Sequence, residues 1–243
     1  MIRVKQIVKS EWLANRLTDM KCGNVFPSFA MLEVVEFDDV SASLFDQGMW
    51  DAINDGQTII PVIVDSFGGQ VYSLMRMLDT IKTAQAQGVT VMTLGKSKCM
   101  SCGSVLVAAG TKGHRYMQPQ ATMMIHEVSS SGRGKNMEIQ SDAEETDRLN
   151  KLLLEKLSEF ADKPKNFFGR LIHKVGHADM FINAKDVVAL GLVDHVGEPG
   201  FEMSITLDVK IVKNKLDKPK EKGIIKPKNT IKQTEIHHED DKI

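Results

Sequence analysis

The sequence predicts an α/β fold built on a largely parallel sheet, and three observations carry that prediction. Ile59-Ile60-Pro61-Val62-Ile63-Val64 is a short, almost wholly apolar run, as expected of a central strand covered on both faces. Val71, Leu74, Met75, Leu78 and Ile81 then fall at i, i+3, i+4, i+7 and i+10, one stripe of a helix lying on a sheet. A second apolar run, Val89 to Leu94 (VTVMTL), opens another round of strand, turn and helix.

Taken in order, residues 1–27 show no clean period, and 1–28 are set apart as an N-terminal segment. Phe29 to Glu36 (FAMLEVVE) reads as a strand, and Val40 to Ile53 alternates apolar and polar residues as a helix does. Pro61 lacks an N–H and belongs at the start of its strand or at an edge. Asp65-Ser66-Phe67-Gly68-Gly69 reads as a strand-to-helix turn, and Gly88 stops the helix that follows. Gly95 to Cys102 reads as a small, polar turn and Gly103 to Gly110 as a helix of small residues. Thr111-Lys112-Gly113 makes a tight turn into two short strands, around Arg115-Tyr116-Met117 and over Thr122 to His126.

Ser129 to Asn136 (SSSGRGKN) is a flexible polar loop by composition, and Met137 to Ala161 is strongly helical. Leu149, Leu152, Leu153, Leu157 and Phe160 share one face of that helix, which is long enough to project from the body or support an interface. Pro164 opens a further helix to Val175, and Ala184 to Leu190 forms a short one before Leu192-Val193-Asp194-His195-Val196. Past Glu198 the chain turns Lys-rich, and Asp208 to Ile243 has no aromatic residue but contains Pro219 and Pro227. The expected organisation is one domain over 29–200 and a largely disordered tail over 201–243.

Composition narrows the function. With 42% hydrophobic and 26% charged residues, the 243-residue chain can bury one sizeable core. Thirty-one Lys+Arg against 32 Asp+Glu leave no net field to recruit nucleic acid or an acidic membrane. Three cysteines, without an extracellular framework spacing, fit a reducing compartment. No long apolar run follows Met1-Ile2-Arg3-Val4-Lys5, so neither a signal peptide nor a membrane span is expected, and the chain reads as cytoplasmic.

A serine nucleophile needs a base, a group that holds the base in the right tautomer, and backbone donors aimed at the developing oxyanion. Ser101 lies where a strand gives way to a helix of small residues, a junction that exposes a side chain and directs free helix N-terminal amides toward it. The N–H of Cys102 falls beside the reacting carbon there, and Gly68-Gly69 offers a second backbone position with no Cβ to block a substrate. His126 ends an apolar strand and enters a polar loop, 25 residues after Ser101. Many acids could orient it, and the pattern alone selects none.

At these residues a resemblance becomes specific. Ser101-Cys102-Gly103, Ala109 to Arg115 and Met124-Ile125-His126 resemble the nucleophile and histidine blocks of the proteolytic subunit of the ATP-dependent Clp protease (ClpP). Ser66-Phe67-Gly68-Gly69 is similar to that family's Ser-Pro-Gly-Gly turn, and Asp179 to Asp194 to the block with its catalytic aspartate. The resemblance covers about residues 30–198. It implies the crotonase-like ClpP fold of repeated β-β-α units with a protruding helix. It makes Ser101 the nucleophile, His126 the base, Asp179 the orienting acid, and the amides of Gly69 and Cys102 the oxyanion donors.

It also implies a serine endopeptidase acting on polypeptides, with no metal or organic cofactor, assembled as stacked heptameric rings fed by an ATP-driven unfoldase. ATP would be used by that partner, since this chain shows no Gly-x-x-x-x-Gly-Lys-Ser/Thr loop. Two departures stand out: Met100-Ser101-Cys102-Gly103 replaces the family's Ala-Ser-Met-Gly, and Phe67 replaces its proline.

Rival readings accompany these. Lys96 or Lys98 would allow a Ser-Lys dyad, and Cys99-x-x-Cys102 could be a redox pair, although coincidence of spacing is the simpler account. His177, two residues from Asp179, reads as a surface or helix-end histidine, and Met123 and Met124 as core or groove lining. The same fold serves acyl-CoA hydratases, which need no Ser-His pair. An inactive ring subunit and a viral protease that processes capsid or scaffold proteins complete the alternatives. His237-His238 and Glu239-Asp240-Asp241 read as a solvated tail.

Overall fold

The computed structural model describes residues 2–8 and 29–207, with the backbone alone for 2–8 and 201–207. Strand β1 (Ile2–Val8) pairs with β9 (Phe201–Leu207) in a two-stranded sheet. The pattern of the first 27 residues had given no sign of β1. The remaining expectations for the N-terminal segment and for the tail from 208 onward lie outside the described residues.

The main sheet has seven strands. β2 (Leu32–Val34), β3 (Ile59–Ser66), β4 (Thr90–Met100), β5 (Arg115–Met117) and β8 (His195–Val196) follow one another in that order, all parallel. β6 (Thr122–Ile125) adds to β4 in parallel, and β7 (Met180–Asn183) pairs with β6 antiparallel. The expected strand over 29–36 is thus shortened to three residues.

The polar turn expected over Gly95 to Cys102 is instead strand as far as Met100. β4 forks: Thr93 to Gly95 pair with β5, and Lys98 to Met100 pair with β6, while β3 runs along the other side of both halves. Two successive ladders outweigh the weak strand propensities of Gly95, Lys96, Ser97 and Lys98. Pro61 pairs with Met92 on one side, and pairing with β2 begins only at Val62, so it lies at a local edge.

Helices cover the sheet where the apolar stripes require it. α1 (Asp39–Asn54) starts at an Asp38 cap whose carboxylate accepts the Ser41 N–H at 2.7 Å, and it buries Ala42, Phe45, Met49 and Ala52. α2 (Val71–Ala86) buries Leu74, Met77, Leu78 and Ile81, with Met75 only at the margin. α3 (Cys102–Ala108) is buried throughout, and its small residues let it sit directly against β4.

α4 (Asn136–Phe160) is exposed over residues 136–144 and inserts Leu149, Leu153, Leu154 and Leu157 into the core. α5 (Phe167–Lys174) begins three residues after Pro164. α6 (Ala184–Leu190) is capped by Asn183, which accepts the Asp186 N–H, and ends at Gly191 with φ 84°.

A buried staple closes the sheet. The Arg115 guanidinium, 4% exposed, meets both Asp194 oxygens at 3.0 and 2.6 Å and donates to the carbonyl of Phe160 at 2.8 Å. Asp194 also accepts the N–H groups of Gly113 and Arg115. Burial resists ionisation of its carboxyl, but the Arg115 bonds and these amides outweigh burial and hold it below the ordinary carboxylate range.

Candidate active site

Backbone pairing delivers three chain segments to one point. Met100, the end of β4, pairs with Met124, one residue before the end of β6, and the Ser101 N–H continues that ladder to the Met124 carbonyl at 2.8 Å. Both strands thus end at the same edge of the sheet, and His126 Nε2 lies 2.8 Å from Ser101 Oγ. β7 runs back along β6 with Ile125 opposite Met180, so the next pair outward is His126 and Asp179. Asp179 Oδ1 lies 3.6 Å from His126 Nδ1, beyond hydrogen-bond length, on a side chain that is 55% exposed.

Ser101 has φ 53° and ψ −117°, a strained conformation for a residue with a Cβ, held by the β4–α3 junction. Its carbonyl accepts the Ser104 N–H at 3.0 Å and the Ser104 hydroxyl at 2.6 Å, which pin the turn from inside α3. On the other side, a Cβ on Gly68 would stand 2.7 Å from Ser101 Cβ and 3.3 Å from its Oγ. Only glycine, here at φ 105°, lets the two turns approach this closely.

The Ser66 hydroxyl accepts the Gly68 N–H at 3.0 Å, and the Phe37 carbonyl accepts the Gln70 N–H at 2.7 Å. The Gly69 N–H lies between these two bonds and takes part in neither. Cys102 is the first residue of α3, so its N–H has no acceptor within the helix. A cavity of about 270 Å³ opens beside Ser101 and His126, walled by Val71, Val105, Leu153, Leu154 and Leu157 and rimmed by Phe67.

Several sequence readings are resolved here. Lys98 does not approach Ser101: its ammonium bonds to Asp65 at 2.8 Å and lies 4.9 Å over the Phe67 ring, so no Ser-Lys98 pair forms. Among the described residues no bond joins Lys96 to Ser101 either. Cys99 and Cys102 are buried, unpaired thiols with separate carbonyl partners, Val64 for Cys99 and Gly69, at 3.3 Å, for Cys102. Burial pushes the Cys99 thiol up to about 12 and the Cys102 thiol upward as well, so neither is poised as a thiolate.

Met123 is core and Met124 lines the cavity. His177 is a half-exposed surface histidine, bonded to Glu127 at 2.9 Å. Among the described residues no group of three or more His, Cys, Asp or Glu side chains could hold a metal ion.

Sequence reasoning missed Ser104, the Lys98–Asp65 pair under Phe67, and Glu127. All three act through contacts between segments far apart in the chain, or through a hydroxyl turned back on its own helix. No local pattern marks them.

Fold and site together define an α/β protein in which a strained serine between strand and helix faces a histidine just past the end of the neighbouring parallel strand. A sequence model of the Clp protease family matches residues 29–200, and the chain belongs to that family. It is 35% identical over 142 residues to ATP-dependent Clp protease proteolytic subunit 1 of Chlamydia felis, covering 58% of this chain and 66% of the relative. It is 34% identical over 142 residues, with the same coverage, to proteolytic subunit 2 of Chlamydia abortus. Subunit 2 of Chlamydia muridarum is 34% identical over 137 residues, 56% of this chain and 64% of the relative. The chain thus spans just under two thirds of the length of these relatives.

Proposed function

We propose that this chain is a serine endopeptidase, the proteolytic subunit of a Clp-type ATP-dependent protease. The observation that carries the proposal is the 2.8 Å contact between His126 Nε2 and the hydroxyl of Ser101, at a strained strand-to-helix turn beside a glycine pair. His126 takes the hydroxyl proton as Oγ attacks the peptide carbonyl. The oxyanion develops against the N–H groups of Gly69 and Cys102, and His126 returns the proton to the departing amine. Water then hydrolyses the acyl-enzyme by the same proton transfers in reverse roles. Asp179 holds the imidazole tautomer and stabilises the imidazolium, closing its 3.6 Å gap in the substrate complex.

The aliphatic wall of the cavity beside Ser101, formed by Val71, Val105, Leu153, Leu154 and Leu157, suits an uncharged, aliphatic or aromatic side chain of the polypeptide next to the cleaved bond. No step of this chemistry calls for a metal or organic cofactor, and ATP is consumed by a partner unfoldase. The subunits assemble as stacked heptameric rings in the cytoplasm. That assembly follows the family, and the exposed stretch of α4 over residues 136–144 is consistent with a role in subunit contact. Among the described residues no helix is long and apolar enough to cross a membrane.

Hydrolysis of a fluorogenic peptide by the purified protein tests the reading against Ser101→Ala, alongside labelling by a fluorophosphonate. Turnover and labelling that both vanish in Ser101→Ala support it. An assembled protein that neither cleaves nor labels is a structural subunit instead.

A further inference from the structure

The segments that carry His126 and Asp179 are joined to each other and to α4 by polar contacts outside the Ser101 cluster. Asn150, on α4, accepts the Val128 N–H through Oδ1 at 3.2 Å and donates through Nδ2 to Glu127 Oε1 at 3.3 Å. The second oxygen of that carboxylate, Oε2, lies 2.9 Å from His177 Nδ1. Glu127 directly follows His126, and His177 precedes Asp179 by two residues. His177 is itself in the left-handed region at φ 60°, after Gly176 at φ 72°, and its ring packs edge-on against His173 with centroids 5.2 Å apart.

We propose that Glu127 and His177 are positioning residues, and that the Asn150–Glu127–His177 chain sets where Asp179 stands against His126. The inference rests on the serine-peptidase reading above. Among the described residues, the Asp179 carboxylate accepts no hydrogen bond, so its place is set by the backbone on either side of it. On one side the β6–β7 ladder ends at Met180, opposite Ile125. On the other side the chain arrives through two consecutive left-handed residues, and its side-chain anchor to the His126 segment is His177 on Glu127.

Without that anchor, the loop between α5 and β7 is free to carry the acid away from the base. An exposed polar contact of this kind contributes little to global stability. The position of the group that orients a general base, in contrast, acts directly on the rate. The two residues therefore matter for turnover far more than for folding.

The test measures kcat and KM on a fluorogenic peptide, and the fluorophosphonate labelling rate, for Glu127→Ala, His177→Ala and Glu127→Gln, each also in an Asp179→Ala background. Glu127→Ala and His177→Ala should each lower kcat about tenfold while KM stays within about twofold. Glu127→Gln keeps a hydrogen-bonding atom toward each neighbour and should retain most of the activity. In the Asp179→Ala background the Glu127 and His177 changes should cost nothing further, because they act only through that carboxylate.

Wild-type kcat in Glu127→Ala and His177→Ala overturns the inference, and so does an equal loss with and without Asp179. A wild-type protein that labels and cleaves while the variants match it defeats the inference alone. A wild-type protein that does neither defeats the serine-peptidase reading and the inference with it.

Discussion

Replacing Gly68 by alanine separates the geometry of the nucleophile turn from its stability. The new Cβ would fall 2.7 Å from Ser101 Cβ, 3.1 Å from the Met100 carbonyl and 3.3 Å from Ser101 Oγ. The first two are fixed by the backbone, so one of the two turns must move. Gly68 also sits at φ 105°, where a Cβ costs about 1–3 kcal/mol before any clash. Moving Ser101 Oγ by about 1 Å from His126 is expected to cost on the order of 10²-fold in kcat.

Gly88→Ala is the matched control. Gly88 has a comparable positive φ of 83°, nothing within 4 Å of its added Cβ, and no part in the site. Both variants carry the cost of a Cβ at positive φ, seen as a lowered thermal midpoint, and Gly68→Ala should fall further because its Cβ also displaces a neighbouring turn. Only Gly68→Ala should lose peptide hydrolysis and fluorophosphonate labelling. Labelling of Gly68→Ala within about twofold of Gly88→Ala would refute the argument that this close approach places the nucleophile.

Three further outcomes follow from the described contacts. Asp194→Asn strands the buried Arg115 guanidinium and should cost about 3 kcal/mol in urea unfolding, near the lower end for a broken buried pair. Because Asp194 is held below its ordinary range, its contribution is complete above the unfolded carboxylate value and fades as pH falls through the folded one. The wild-type urea midpoint should therefore drop below about pH 4, and drop less steeply in Asp194→Asn. Cys99 and Cys102, buried with raised thiols, should resist iodoacetamide in the native state and react on unfolding, followed by mass spectrometry; rapid native labelling of either contradicts their burial. Phe67→Pro removes the ring that Lys98 covers at the rim of the cavity and should change kcat/KM between peptides with large and small apolar side chains by about 3- to 10-fold, leaving the fluorophosphonate labelling rate unchanged.

The parts of this fold that were legible in the sequence are those fixed by local pattern. The stripe of α2, the small residues of α3 and the leucines of α4 each announce a face that must be buried. β4 was misread past Leu94 because Gly95-Lys96-Ser97-Lys98 has the composition of a turn, and its strand state depends on β3, β5 and β6 arriving from elsewhere in the chain. β7 escaped notice for a related reason: four residues with one buried side chain, Ile182, give too short a period to register.

At the site the same division holds. Ser101 and His126 were visible as a strand-to-helix serine and a strand-end histidine, whereas Asp179 was reached only by resemblance. Its meeting with His126 is a matter of antiparallel register between β6 and β7, which no spacing in the chain encodes.

That register also ranks the three groups by how firmly they are held. Ser101 is fixed from four directions: the ladder to Met124, the two bonds from Ser104, the helix behind it and the glycine turn in front. His126 leaves a strand paired on both sides, with Met123 of that strand fully buried. Asp179 stands one residue beyond the end of a short strand, more than half exposed, and reaches its partner only to 3.6 Å. Ser101 and His126, the proposed nucleophile and base, are thus set by the folded core, while Asp179, the proposed acid, is set by a loop with few contacts. Perturbations at the surface near residues 176–179 should therefore change rate through Asp179 long before they disturb Ser101 and His126.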